Sequence, residues 1–164
     1  MMNTISIENL QPSDTDEIHS MVSGLAPLTH HTWYSYWTEF MSFGNSCFKA
    51  QDLETKLIAG FITSHPILTT PQLEWFCWQI GVREEYRRQG IGVELLGRAV
   101  DTALAAGATA MRFTIEPDNV ASLATFQRVA NSRNYKINTL DELETPSGTE
   151  VLYQMSYSTQ TDGQ

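Results

Sequence analysis

Apolar and polar positions along this chain recur with the periods of about six or seven strands and four helices. Thr4 to Glu8 alternates, with Ile5 and Ile7 on one face, and predicts a first strand. A helix follows: Ser13 or Asp14 can cap it, and Ile18, Met21, Val22 and Leu25 keep the helical spacing until Gly24 and Pro27 end it. A second helix is predicted from about Thr32 to Ser42, with Trp33, Trp37, Phe40 and Met41 as its core stripe and Tyr34 and Tyr36 off that stripe, free to face a pocket. Ser46 to Ala50 and Leu57 to Ser64 read as a hairpin around the polar turn Gln51 to Lys56, with His65-Pro66 ending its second strand.

The long run Leu73 to Val82 is nearly all apolar, which predicts a central strand buried on both faces. Simple alternation places Glu74, Phe76, Trp78, Ile80 and Val82 on one of those faces. A charged turn, Arg83 to Gln89, then leads through Gly90 and Gly92 into a helix carrying Ile91, Leu95, Leu96, Ala99 and Leu104 and stopping at Gly107. Met111 to Ile115 is a further strand, and Pro117-Asp118-Asn119 caps a helix over Ala121 to Asn131. Tyr135 to Ile137 and Val151 to Tyr157 close the pattern. Asn138 to Thr149 reads as a polar loop and Ser158 to Gln164 as a disordered tail.

With 164 residues the chain suits one domain, over 1–157, with an ordinary core. Its start, Met1-Met2-Asn3-Thr4, lacks the basic and apolar regions of a signal peptide, and no run has the length of a membrane span. A cytoplasmic protein without membrane contact is expected. The two cysteines, Cys47 and Cys77, fall in apolar runs and read as core residues. A net charge of -9 argues against nucleic-acid binding. Against that acidic background, three of the seven arginines, Arg83, Arg87 and Arg88, crowd the turn before Gly90. A glycine-led helix N-terminus with unpartnered N–H groups and nearby arginines is suited to an anion, above all a phosphate.

The spacing Arg87-x-x-Gly90-x-Gly92 excludes two common phosphate loops. A dinucleotide fingerprint needs glycine where Leu95 stands, and a Walker A loop needs Gly-Lys-Ser or Gly-Lys-Thr. Strand Gln79-Ile80-Gly81-Val82 with Tyr86-Arg87-Arg88-Gln89-Gly90-Ile91-Gly92 instead resembles the pyrophosphate-binding motif of the GNAT family of N-acetyltransferases. Asp118-Asn119 with Ala121, Ser122 and Phe126 resembles the next motif of that family, and the order of elements agrees over most of the chain. The resemblance implies an α/β (α+β) single-domain fold with a mixed, mostly antiparallel twisted sheet. It also implies acetyl-CoA as co-substrate, held by Arg87, Arg88, Gln89, Gly90, Ile91 and Gly92 at the pyrophosphate, by Ile80, Gly81 and Val82 along the pantetheine, and by Asn119 and Phe126 nearby. Homodimers are frequent in proteins resembling this one.

A narrower resemblance is to the diaminobutyrate acetyltransferases of ectoine synthesis. It rests on Tyr34-Ser35-Tyr36, Ser46-Cys47-Phe48, Phe76-Cys77-Trp78-Gln79 and Glu150-Val151-Leu152-Tyr153, together with phenylalanine rather than tyrosine at position 126. It implies Trp78 and Glu150 at the amine pocket and Tyr34 by the thiol. Where that subfamily tends to carry aspartate, five residues before Tyr34, this chain has Thr29. The family's usual general acid is a tyrosine, and Phe126 cannot donate a proton.

Among the strand-associated carboxylates, Glu150 ranks first for holding a cationic amine, and Glu74 and Glu116 are the candidate water-mediated bases. Tyr34 completes the candidate catalytic set. His30 and His31 are adjacent, a spacing that does not suggest a zinc site, and no metal is expected. They stand before Tyr34 and are secondary candidates for recognition or proton transfer. His19 and His65 read as surface residues. The favoured function is N-acetylation of a small-molecule primary amine. Acetylation of a protein lysine or N-terminus, which the Trp33 to Trp37 helix is expected to obstruct, and acyl-CoA binding without turnover are the alternatives.

Overall fold

The computed structural model describes residues 4–157, so the terminal segment 158–164 lies outside the described residues. Seven strands form one sheet: β1 (Ile5–Asn9), β2 (Phe48–Asp52), β3 (Ile58–Ile67), β4 (Glu74–Val82), β5 (Ala110–Ile115), β6 (Tyr135–Thr145) and β7 (Gly148–Tyr157). Their spatial order is β1-β2-β3-β4-β5-β7-β6, and only the β4–β5 pair is parallel. Four helices accompany them: α1 (Thr15–Val22), α2 (Trp33–Phe43), α3 (Ile91–Ala105) and α4 (Val120–Ser132). The buried faces of α3 and α4 join one core cluster and those of α1 and α2 join a second, so the sheet is sandwiched between the two helix pairs.

The core face of α2 differs from the expected one. Tyr36, Glu39 and Phe40 are buried, whereas Trp33 and Met41 are exposed. The Trp33 indole N–H donates to Asp16 of α1 at 2.7 Å and its ring stacks on Trp37, so these indoles stay at the rim. Tyr36 can be buried because its hydroxyl has a buried partner, donating to Oε1 of Gln79 at 2.9 Å.

Two strands outrun their expected limits. β3 continues through His65 and Pro66, where it has no β2 neighbour, the edge position at which a proline's missing N–H is tolerated. His65 is therefore not a bare surface residue: its ring meets the buried Glu39 carboxylate at 2.7 Å. The segment Asn138 to Thr149, expected as a polar loop, is most of β6 and the start of β7, paired from Asn138↔Gln154 to Thr145↔Gly148. β6 is an edge strand, and its polar, acidic side chains suit an exposed ladder edge better than an apolar pattern would. Cys47 and Cys77 are free and buried, as expected, and burial pushes the Cys77 thiol up to about 12.

The feature that shapes the site is a bulge in β4. Thr63 pairs with Gln79 and Ser64 with Cys77, so Trp78 is an extra residue with no partner in β3. The buried Thr63 hydroxyl accepts from the Gln79 backbone N–H at 3.0 Å and anchors the bulge. Past this point the faces of β4 exchange. Trp75 and Cys77 before it, and Ile80 and Val82 after it, pack with the α3–α4 cluster, while Trp78 packs with the α1–α2 cluster. The expectation that Glu74, Phe76, Trp78, Ile80 and Val82 share one face is overturned by this single inserted residue.

Leu96 is fully buried on α3 against the sheet. Leu96→Ala is expected to lower stability by about 2–5 kcal/mol in urea unfolding; a loss under about 1 kcal/mol would show that this face repacks freely.

Candidate active site

The bulge coincides with a parting of the sheet. β4 and β5 pair only from Glu74↔Ala110 to Cys77↔Phe113, although β4 runs on beside β3 and β5 beside β7. From Trp78 and Thr114 onward the two strands diverge, and each leaves one backbone edge open. A cleft of about 1130 Å³ occupies the gap. An open β edge offers N–H and C=O groups to any extended ligand that carries amides.

One end of the cleft is the start of α3. Arg88 has φ +63° and Gly90, the residue before the helix, has φ +77°. These left-handed turns gather successive N–H groups into a concavity, and no side chain caps the helix. Arg87 and Arg88 are exposed beside it, and the Arg87 Nε–H donates to the Val82 carbonyl at 3.2 Å. Arg83 serves the scaffold instead. Its Nε–H donates to the Ile58 carbonyl at 2.7 Å and its guanidinium faces Glu17, which ties the turn to β3 and α1. The Tyr86 hydroxyl donates to Asp52 at 2.5 Å from the same turn.

Most of the expected donor residues meet here. Ile80, Gly81, Val82, Arg87, Arg88 and Gly90 line the cleft, as do Ile91, Gly92, Asn119 and Phe126; Gln89 does not. Gly81 is needed by the scaffold as well, since a Cβ there would come within 2.9 Å of both Leu25 and Leu28, the loop that lies on β4. A Cβ at Gly92 would meet Thr125 and Val82 only at ordinary contact distance, so its lack of a side chain serves the cleft rather than the packing. Asn119 caps α4 by accepting from the Ser122 N–H at 3.2 Å. Phe126 is buried and stacks on Phe113 with ring centroids 3.7 Å apart. It forms an apolar wall of the cleft and carries no proton to donate.

The other end of the cleft is built from the α1–α2 loop, Trp78 and the β6–β7 hairpin. Trp78, Glu116 and Glu150 all line the cleft, the two carboxylates being half-buried. Two expected catalytic residues do not come to it. Tyr34 is 71% exposed on the outer side of α2, against Trp33 and Trp37. Glu74 sits where β4 and β5 are still paired, held by an ion pair to Arg112 and by the Gln154 carboxamide at 2.8 Å. Its charge is consumed in bracing three strands.

Residues 13–130 match the model of the acetyltransferase (GNAT) family. The chain belongs to this family. It is an acetyl-CoA-dependent N-acetyltransferase. The L-2,4-diaminobutyric acid acetyltransferase of Halomonas elongata is 29% identical over 136 residues, covering 79% of this chain and 70% of the relative. That of Vibrio cholerae is 28% identical over 153 residues, covering 88% and 87%. Among solved structures, a diaminobutyrate acetyltransferase from Paenibacillus lautus, in complex with L-2,4-diaminobutyric acid and coenzyme A, superposes with a TM-score of 0.85 at 22% identity, covering 94% of this chain and 96% of that one. The NatC complex bound to Gag peptide and CoA gives 0.79 at 15% identity, with coverage of 94% and 99%. At these identities the structural likeness establishes the fold alone.

Three residues of this GNAT enzyme gain importance from the structure. Gln79, buried, accepts from the Tyr36 hydroxyl and donates from Nε2 to the Thr29 carbonyl at 2.7 Å. The Tyr36 oxygen also accepts from the His31 backbone N–H at 3.4 Å. His31 lies on Trp78, ring centroids 4.8 Å apart, and lines the cleft. Burial lowers its basicity, the neighbouring His30 lowers it further, and Glu150 partly opposes both. Only the helical offset of Tyr36 from Phe40 could have signalled this network; the meeting of Gln79 with Thr29 depends on the bulge. Among the described residues no group of three or more histidine, cysteine or acidic side chains is placed to hold a metal, and no helix is long and apolar enough to cross a membrane.

Tyr36→Phe leaves the buried Oε1 of Gln79 without its donor and is expected to cost about 1–3 kcal/mol in urea unfolding. An unchanged midpoint would show that the Tyr36–Gln79 bond adds nothing to stability.

Proposed function

We propose that this acetyltransferase acts on the primary amine of a small cationic molecule, with a diaminobutyrate-like amino acid as the leading class. The observation that carries the reading is the parting of β4 from β5 at Trp78. It joins an anion-accepting helix start and a carboxylate-bearing pocket through one continuous cleft. In this reading the pyrophosphate of acetyl-CoA lies on the N–H groups of 88–92, with Arg87 and Arg88 adding charge. The pantetheine extends along the open edge of Trp78 to Val82, and its thioester reaches the point where the strands part.

The acceptor enters from the opposite side. Glu150 offers a negative charge and Trp78 an aromatic face to an ammonium group. Leu28 and Thr29 of the α1–α2 loop flank the cleft on one side and Pro146 and Ser147 of the hairpin on the other, which favours a small acceptor over a polypeptide. That cover comes from the loop and hairpin rather than from Trp33 and Trp37. The tyrosine acid usual at position 126 is dispensable, because a thiol of pKa about 8.5 departs readily as thiolate. Tyr34 and Glu74 take no part. Glu116, at the end of β5, is left to orient water or the acetyl group's surroundings.

The test is release of free thiol from acetyl-CoA with a panel of L-2,4-diaminobutyrate, ornithine, polyamines and aminoglycosides, alongside peptides with a free N-terminus or lysine. Turnover with a diamino acid is the expected result, and turnover confined to peptides would overturn the reading. Glu150→Gln should raise KM for the amine about tenfold or more without changing acetyl-CoA affinity. Arg87→Ala combined with Gly90→Ala should do the reverse, weakening acetyl-CoA binding in calorimetry by at least about tenfold.

A further inference from the structure

Resting on the acetyltransferase reading, we propose that His31 is the general base that takes the proton from the acceptor ammonium. His31 brings an imidazole to the cleft, which the carboxylates of Glu116 and Glu150 also line. Its ring rests on Trp78, the bulge residue, at the point where β4 and β5 part. No hydrogen bond to either ring nitrogen occurs among the described residues, so the imidazole is uncommitted, whereas Glu74 is committed to Arg112 and Gln154. Its main chain is clamped: the Tyr36 hydroxyl holds the His31 N–H and the Gln79 carboxamide holds the Thr29 carbonyl two residues before. A buried network therefore presents a free imidazole at the mouth of the acceptor pocket, the arrangement that positioned proton transfer requires.

The titratable groups around His31 come from each neighbouring element. His30 is on its own loop, with its ring against His19 of α1. Tyr36 of α2 stands edge-on to it and Glu150 of β7 acts across the pocket. Burial and His30 together outweigh Glu150, so His31 loses its proton below the ordinary histidine value and is neutral near pH 7. A neutral imidazole can accept a proton; a carboxylate opposite can keep the ammonium in place while it does so.

In the transfer, the ammonium gives one proton to a ring nitrogen of His31, and the freed nitrogen lone pair forms the N–C bond to the thioester carbonyl carbon. The tetrahedral intermediate expels the CoA thiolate as the C–S bond breaks. The nitrogen sheds its second proton, which neutralises the thiolate, and imidazolium returns its proton to water. The products are amide, free thiol and one proton.

The test compares pH profiles of kcat/KM for wild type, His31→Gln and His31→Ala, with L-2,4-diaminobutyrate and the amine panel as acceptors. Wild type should rise through an acidic limb below the ordinary histidine pKa of about 6.5 and then hold a plateau. His31→Gln should fall by about 10²-fold or more at pH 7 and climb continuously toward the acceptor amine's own pKa near 10, because only amine already neutral can react. Imidazole added to His31→Ala should restore part of the rate, and acetyl-CoA affinity should be unchanged in both variants. A His31→Gln enzyme that keeps the acidic limb or stays within a few-fold of wild type would overturn the proposal while leaving the acetyltransferase reading intact. Absence of thiol release from wild type with every amine would overturn both.

Discussion

One inserted residue governs this molecule. Without Trp78 as a bulge, β4 would keep a single alternation and could stay paired with β5 to its end. With it, the buried Thr63 hydroxyl takes over the Gln79 N–H, the faces of β4 exchange and the parallel pairing stops at Cys77↔Phe113. The site follows from that exchange. Ile80 and Val82 turn toward α3, where an anion can be received, while Trp78 and Gln79 turn toward the α1–α2 loop, where they organise the opposite side of the gap. The proposed function uses this cleft through the sheet to bring donor and acceptor together from two directions. Proximity of this kind is a large share of what any transferase supplies.

The electrostatics divide along the same line. A chain of net charge -9 keeps Arg87 and Arg88 exposed at the helix start, beside the left-handed turns at Arg88 and Gly90. Across the cleft, Glu150 and Glu116 supply negative charge. A helix start suited to an anion and carboxylates suited to a cation thus stand at different ends of one cavity, as the proposed donor and acceptor require.

Much of the fold was legible because its elements bury one regular face. The glycine-led turn into α3, the strand before it and the cap at Asn119 were readable from local spacing, and they line the end of the cleft that suits an anion. The opposite end was harder. Alternation counts cannot reveal an extra residue such as Trp78 that has no partner in β3, so they place Ile80 and Val82 on the wrong face. Large indoles outweighed Tyr36 in the apolar pattern of α2, yet the phenol enters the core because Gln79 completes its hydroxyl. The ion pair that ties Glu74 to Arg112 joins residues 38 apart, across a parallel pairing. The polar end of β6 looked like a loop because an edge strand has no apolar face to betray it.

The gap opened at Trp78 is where we propose that the donor is held. A crystal structure of the complex with coenzyme A tests it most directly. Pyrophosphate oxygens are expected on the backbone N–H groups of 88–92, with pantetheine amides bonded to the open edge of β4 between Trp78 and Val82. Coenzyme A bound elsewhere, with β4 and β5 zipped together beyond Cys77 and Phe113, would contradict it.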